Sequence, residues 1–278
     1  ELHRSPGAFF DDAIHPNGTK IFSARIIPFK GSWVEFTTDI HDVMYAYIDR
    51  KKKFPVTTLL RALGYSSDED LLALFDLAED VQITDITQDH LGRRVAADTI
   101  DMNTGEIIAT RDNILTEDLY VILRDSGLES IKLYKYENPN DEPIIAKTLV
   151  KDVTRTREDA LESIYRQLRS SDPPDIDTAW GLLEKLFFNP KRYDLGVVGR
   201  YRINEKLNMN VPLDVTTLTV DDIVCIIKHL IELRDGKVPV DDIDHLSNRR
   251  VRTVGEQLES TFNLGLTRMA RTIKERLS

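Results

Sequence analysis

The chain has 278 residues, 41% hydrophobic and 30% charged, with a formal net charge of −10. This composition excludes a disordered polymer, and no apolar run approaches the ~20 residues that a bilayer-crossing helix needs. The acidic balance argues against a protein that coats DNA with its whole surface, and the length allows one large domain or two smaller ones.

The opening residues, ELHRSPGAFF, show neither an initiator Met nor a charged-then-apolar leader, so they are not a signal peptide and the chain reads as cut at both ends. Residues 20 to 49 alternate apolar and polar positions in three short runs, KIFSARIIPF, SWVEFTTDI and VMYAYID, separated by Pro28, Gly31 and the DIHD turn. That period predicts antiparallel strands in a meander. PVTTLLRALGY opens with Pro55 and closes with Gly64, which predicts a helix, and SSDEDLLALFDLAED predicts a second behind a Ser/Asp cap.

Residues 81 to 136 return to strand-like runs, with a hairpin turned at Asn103 to Gly105 and a short capped helix in TEDLYVILRDSG. Beyond the linker YENPNDEP the pattern is helical in REDALESIYRQLR, DIDTAWGLLEKLFF and TVDDIVCIIKHLIELRDG. In the last segment Val254, Leu258, Phe262, Leu266, Met269, Ile273 and Leu277 recur every three or four residues, which predicts one amphipathic helix. The expected class is α+β: an antiparallel meander and a small strand-rich subdomain packed with helices, ending in that long helix.

Charge is unevenly placed. Ser247 to Ser278 holds seven Lys and Arg against three Glu, a net +4, whereas the rest holds 30 basic against 44 acidic residues, a net −14. Arg50, Lys51, Lys52 and Lys53 are four consecutive cations after a strand, either a solvated turn or a phosphate-backbone contact. Arg169, Ser170, Ser171, Asp172, Pro173 and Pro174 form a stiff polar connector between two helices, an exposed tip that could gate against a facing domain. Cys225 is the single cysteine and lies in an apolar run, as a buried thiol in a reducing compartment would.

His41 and Asp42, with His3, His15 and DIDH, are faintly similar to the ligand sets of metal-dependent phosphohydrolases. However, no two histidines have the i, i+4 spacing that aims both at one ion. Phosphate-loop and nucleophile-elbow motifs are also missing from the sequence.

Six stretches then stop being anonymous: LHRSPG, ARIIPFKGSWVEF, IDRKKKFPVTTLLRALGY, EKLFFNPKRYDLGVVGR, VDDIDHLSNRRVRTVGEQ and ARTIKERLS. Together they closely resemble the bacterial RNA polymerase beta subunit, in register from Leu2 to Ser278 and weakest over residues 70 to 155. The resemblance implies an internal segment: a flank from the protrusion domain at 1–8, the lobe (second beta domain) at 9–246 with its strand-rich subdomain at about 81–150, and a return into the protrusion at 247–278.

It also implies a DNA-directed, Mg-dependent nucleotidyltransferase whose Mg is held by the partner beta-prime subunit, with no cofactor and no catalytic residue in this segment. The implied partners are the rest of beta, beta-prime, alpha and sigma, the non-template strand and the downstream duplex. No membrane is implied, and the implied location is the cytoplasm at the nucleoid.

In the family the lobe is one jaw of the DNA cleft, and the Pro-Pro tip corresponds to a gate loop facing the beta-prime clamp. Asp244, Arg249 and Arg4 match a pocket that receives an unstacked guanine of the non-template strand. Ser247 departs from the Gly often found there, and the pocket needs residues beyond Ser278. Two other classes remain as alternatives: a free-standing metal-dependent phosphohydrolase, and a protein-interaction scaffold with no DNA role.

Overall fold

The computed structural model describes residues 1–50, 53–101, 104–136, 142–173 and 175–277. β1 (Leu2–Arg4) pairs antiparallel with residues 249–251 from the far end of the chain. β2 (Gly7–Ile14) opens a five-stranded antiparallel sheet that continues in sequence order through β3 (Lys20–Ile27), β4 (Val34–Thr38), β5 (Met44–Ile48) and β6 (Phe54–Pro55). β4 and β5 alternate buried and half-buried residues, as strands with one face on the core do.

α1 (Val56–Ala62) starts directly after Pro55, is buried along its whole length and ends before Gly64, whose φ of +127° suits a residue without a Cβ. α2 (Asp68–Leu74) is capped by Ser67, whose hydroxyl accepts the Asp70 N–H while the Asp70 carboxylate accepts the Ser67 N–H.

The strand-rich subdomain follows, built from β7 (Ala78–Gln82), the hairpin strands β8 (Thr99–Ile100) and β9 (Ile107–Ala109), α3 (Glu117–Asp125) and β10 (Ser130–Tyr134). β7 pairs antiparallel with β10, and Val81, Ile83, Val95, Leu123, Ile131 and Leu133 form part of its own core. Asp68 joins the subdomain to the body by accepting from both Arg61 and Arg111. The expected hairpin is present as the β8–β9 pair; Met102 and Asn103, at its tip, lie outside the described residues.

Past residue 141 the chain is helical: α4 (Ile144–Lys151), α5 (Arg157–Arg169), α6 (Ile176–Leu183) with a π turn to Phe188, α7 (Gly196–Leu207) and α8 (Val220–Arg234). Thr156 and Thr219 close capping boxes with Asp159 and Asp222. The main core joins these helices to the five-stranded sheet. Arg200 of α7 is fully buried and bidentate on Asp222 of α8, at 2.6 and 2.9 Å, which locks the two helices together. β11 (Arg249–Val251) returns to β1, and α9 (Val254–Leu277) is the last element of the described residues. β2, α4 and α7 are elements that the sequence pattern had not indicated.

Candidate nucleic-acid interface

The basic end of the chain becomes a site through a long-range strand pair. β1 and β11 meet in the register Leu2 to Val251, His3 to Arg250 and Arg4 to Arg249. Beside them lie the β3–β4 connection and the first turns of α9. Together they enclose a groove of about 790 Å³ whose walls carry Arg4, Lys30, Arg249, Arg250 and Arg252 against Glu256 and Glu259.

Arg4 and Arg249 are exposed, and their side chains have no hydrogen-bond or ion-pair partner among the described residues. Arg250 is committed: its guanidinium lies 5.2 Å from the Phe29 ring centroid and pairs with Glu256. Arg252 is committed as well, donating to Ser260 Oγ at 2.7 Å and standing 3.6 Å from Glu256. Of the three neighbouring arginines, Arg249 is therefore the one whose charge faces solvent uncompensated.

Asp244 sits apart from these walls. It lies on the loop leading into β11, exposed, with no ion pair to Arg4, Arg249 or any other described residue. Its backbone N–H donates to Asp242 Oδ1 at 3.1 Å, so the turn is organised while the carboxylate stays open. Thus the structure brings Arg4 and Arg249 together and leaves Asp244 outside the groove lining. Ser247 accepts from Arg202 through its carbonyl, and its hydroxyl lies 2.7 Å from His245 Nδ1.

The other candidate residues are elsewhere. Arg50 is exposed with φ +56°, at the turn leaving β5. Lys53 places its Nζ 4.1 Å from the Tyr45 ring centroid, so part of its charge is engaged within the chain. Lys51 and Lys52 lie outside the described residues. On the helix connector, Arg169 ends α5, Ser170 takes a left-handed φ of +57°, and Asp172 folds back on Arg166 at 2.5 Å. Ser171 and Pro173 continue the connector, and Pro174 lies outside the described residues.

A model of RNA polymerase Rpb2, domain 2, matches the chain over residues 4–100 and 78–252. The chain belongs to this family. It is 53% identical over 296 aligned positions to DNA-directed RNA polymerase subunit beta of Flavobacterium johnsoniae, and equally to that of Bacteroides thetaiotaomicron. The Porphyromonas cangingivalis subunit is 51% identical over 297 positions. All of this chain is covered in each case, and it spans 23% of the length of each relative.

In this Rpb2 domain 2 the groove also presents Phe29 and Trp33, 54% and 36% exposed, between the cations of its walls. Exposed rings interleaved with arginines are what single-stranded nucleic acid uses, bases on the π faces and phosphates on the guanidinium groups. The signal was present in PFKGSW, which alternates aromatic and basic residues between turn formers. It carried no site by itself, because three of the cations around it, Arg249, Arg250 and Arg252, come from residues more than two hundred positions away.

Among the described residues no group of three or more His, Cys, Asp or Glu is arranged to hold a metal ion. Among the same residues, no helix is long and apolar enough to cross a membrane.

Proposed function

We propose that the chain is the DNA-holding lobe of a bacterial RNA polymerase beta subunit, one jaw of the cleft, and that it reads one unstacked guanine of the non-template strand. The observation that carries this reading is the exposed, uncompensated pair Arg4 and Arg249 in the lining of a basic groove that also presents aromatic rings, with the open carboxylate of Asp244 five positions before Arg249 in sequence. The nucleotidyl transfer itself belongs to the whole multi-subunit enzyme, with its Mg on the beta-prime subunit and alpha and sigma as further partners. The proposed location is the cytoplasm, at the nucleoid.

The division of labour follows from donor chemistry. Arg4 and Arg249 contact phosphates and fix the strand's path without reading sequence. Asp244 supplies two acceptor oxygens, and the Watson-Crick edge of guanine supplies two adjacent donors, N1–H and the N2 amino group. Adenine, cytosine and thymine offer no such pair, and guanine offers it only after leaving the stack. By analogy with other bidentate base contacts, the discrimination is about 1 to 3 kcal/mol. Arg50 to Lys53 act as point charges on downstream DNA, and the connector from Arg169 to Pro174 serves as the gate tip facing the clamp.

The test is open-complex lifetime on promoters carrying guanine or another base at the non-template position facing the pocket, with Asp244 intact and with Asp244→Ala. The unaltered enzyme holds the guanine promoter longer, and the variant loses most of that preference while still binding DNA. A variant that keeps the full preference shows that Asp244 is an ordinary surface carboxylate.

A further inference from the structure

The loop that carries Asp244 has one turn of 3-10 helix, Leu246–Asn248, as its regular structure, yet a single helix holds it at both ends. α7 places Arg202 and Lys206 four residues apart, on one face. Lys206 Nζ donates to both carboxylate oxygens of Asp241 at 2.7 Å and to the Ala8 carbonyl at 3.0 Å. Asp241 in turn accepts the Phe10 N–H at 2.7 Å and donates its own N–H to the Phe10 carbonyl at 2.8 Å, which ties the loop's entry to β2.

The exit is held one helical turn away. Arg202 donates to the Ser247 carbonyl and to Asn248 Oδ1, the latter at 3.3 Å. Asn248 then works in three directions: its side-chain amide donates to the Asp242 carbonyl at 2.6 Å, its N–H donates to the His245 carbonyl at 2.9 Å, and its carbonyl accepts the Ser5 N–H at 3.0 Å. Asp242 closes the turn by accepting the N–H groups of Asp244 and His245. Gly7, beside Arg202, takes a φ of +144°, which L side chains rarely adopt.

The Asp244 carboxylate has no partner among the described residues, so what this frame sets is the place of its backbone, from which the side chain reaches out. A bidentate contact tolerates errors of only about 0.5 Å and 10–20°. The bonds from Arg202, Lys206 and Asn248 restrict the loop's backbone on both sides of Asp244.

We propose that Arg202 and Asn248 are the positioning residues of base readout: the fork of Arg202, seated on α7, holds Ser247 and Asn248 so that Asp244 and Arg249 stand at fixed distance and angle. This rests on Asp244 as the guanine reader. The planar guanidinium of Arg202 offers Ser247 and Asn248 two donors at a fixed angle to one another, whereas a Lys ammonium on its flexible stem would hold them with less angular definition.

The experiment uses polymerase assembled with the full-length beta subunit and compares open-complex lifetimes on promoters with guanine or adenine at the non-template position facing the pocket. The ratio of the two lifetimes is the readout, because general loosening of the domain shortens both and leaves the ratio alone. In the unaltered enzyme the ratio is on the order of 10. Arg202→Met and Asn248→Ala each bring it below about 3, their combination lowers it no further than either alone, and Arg202→Lys retains an intermediate value.

If Arg202→Met does not assemble, Asn248→Ala and Arg202→Lys carry the same comparison. A full ratio in these variants, beside a ratio lost in Asp244→Ala, overturns the positioning role and leaves the reader in place. An unaltered enzyme with no guanine preference, or an Asp244→Ala variant that keeps it, sinks the reader and the positioning role with it.

Discussion

Arg4 and Arg249 stand directly opposite one another in the antiparallel β1–β11 pair, both exposed, with like charge on one face of a two-stranded ribbon. Like charges in register oppose strand pairing, so the arrangement works against stability and is retained at a groove that phosphates would neutralise. Arg4→Ser is therefore expected to raise the melting temperature of the chain by about 1–2 °C at low salt, with the gain fading as screening increases. The same substitution in the assembled polymerase shortens DNA retention. Thermal melts at two ionic strengths, with retention measured alongside, check both halves. A lower melting temperature at low salt would mean that Arg4 holds the ribbon through its stem.

How much of this was legible beforehand depended on whether a residue's partners lie near it in sequence. The capping boxes at Thr156 and Thr219 and the stripe from Val254 to Leu277 are local, and the structure has those helices. β2 left no alternating signal because Gly7, Ala8, Phe9 and Phe10 are buried in succession: Lys206 of α7 lies 5.3 Å from the Phe9 ring, and His229 of α8 packs on Phe10 at 4.4 Å.

α7 was hidden for the opposite reason. It contains Gly196 and Gly199, turns Val197, Val198 and Tyr201 to solvent, and buries an arginine, Arg200, where an apolar residue is the usual expectation. α4 is eight residues long with Pro143 at its N-cap and no side-chain cap. The groove was illegible in a stronger sense, since Phe29, Arg4 and Arg249 meet only through tertiary structure; the family resemblance singled out Arg4, Asp244 and Arg249 as candidates, and the contacts of Arg202 and Asn248 with the Asp244 loop are visible only in the fold.

Asp42 is a second junction. It sits at a left-handed φ of +60° between β4 and β5 and accepts from Lys147 of α4 at 2.9 Å and from Arg234 of α8, with Arg234 Nε at 2.6 Å. Burial works to raise its carboxyl, and the hydrogen bonds from Arg234 and Lys147 outweigh that, holding it below the ordinary carboxylate range. A lowered folded-state pKa gives stability that is present above the unfolded value of about 3.9 and is lost as pH falls through the folded one. Asp42→Asn should therefore cost about 2 kcal/mol near neutral pH. The gap to the unaltered chain should close only below about pH 4. Denaturant titrations between pH 7 and pH 3 measure it, and a constant gap would assign the loss to packing.

α9 leaves its apolar stripe open. Leu258, Phe262, Met269 and Ile273 are 65%, 69%, 55% and 50% exposed, and no residue of the helix is buried. An apolar stripe left open in this way is a surface prone to association. In a monomer of this chain, amides of Val254–Leu277 should exchange far faster than those of α8, whose apolar face is in the core. Phe262→Ser should reduce self-association while changing stability by no more than about 0.5 kcal/mol. Exchange as slow in α9 as in α8, in a verified monomer, would show that the chain satisfies the stripe itself.

The cationic run after β5 divides into unequal parts. Arg50 is exposed on a turn, whereas Lys53 lies over the Tyr45 ring at 4.1 Å, an interaction worth about 0.5–1 kcal/mol at an exposed position. Arg50→Ser should weaken downstream DNA retention equally at every sequence and leave the melting temperature of the chain unchanged, because a point charge on phosphate reads no base. Lys53→Ser should lower both. Each phosphate left without its cation should reduce the slope of log affinity against log salt by about 0.9. Replacing residues 50 to 53 together by Ser therefore shows how many phosphates the run neutralises, and an unchanged slope would reduce it to a solvated turn.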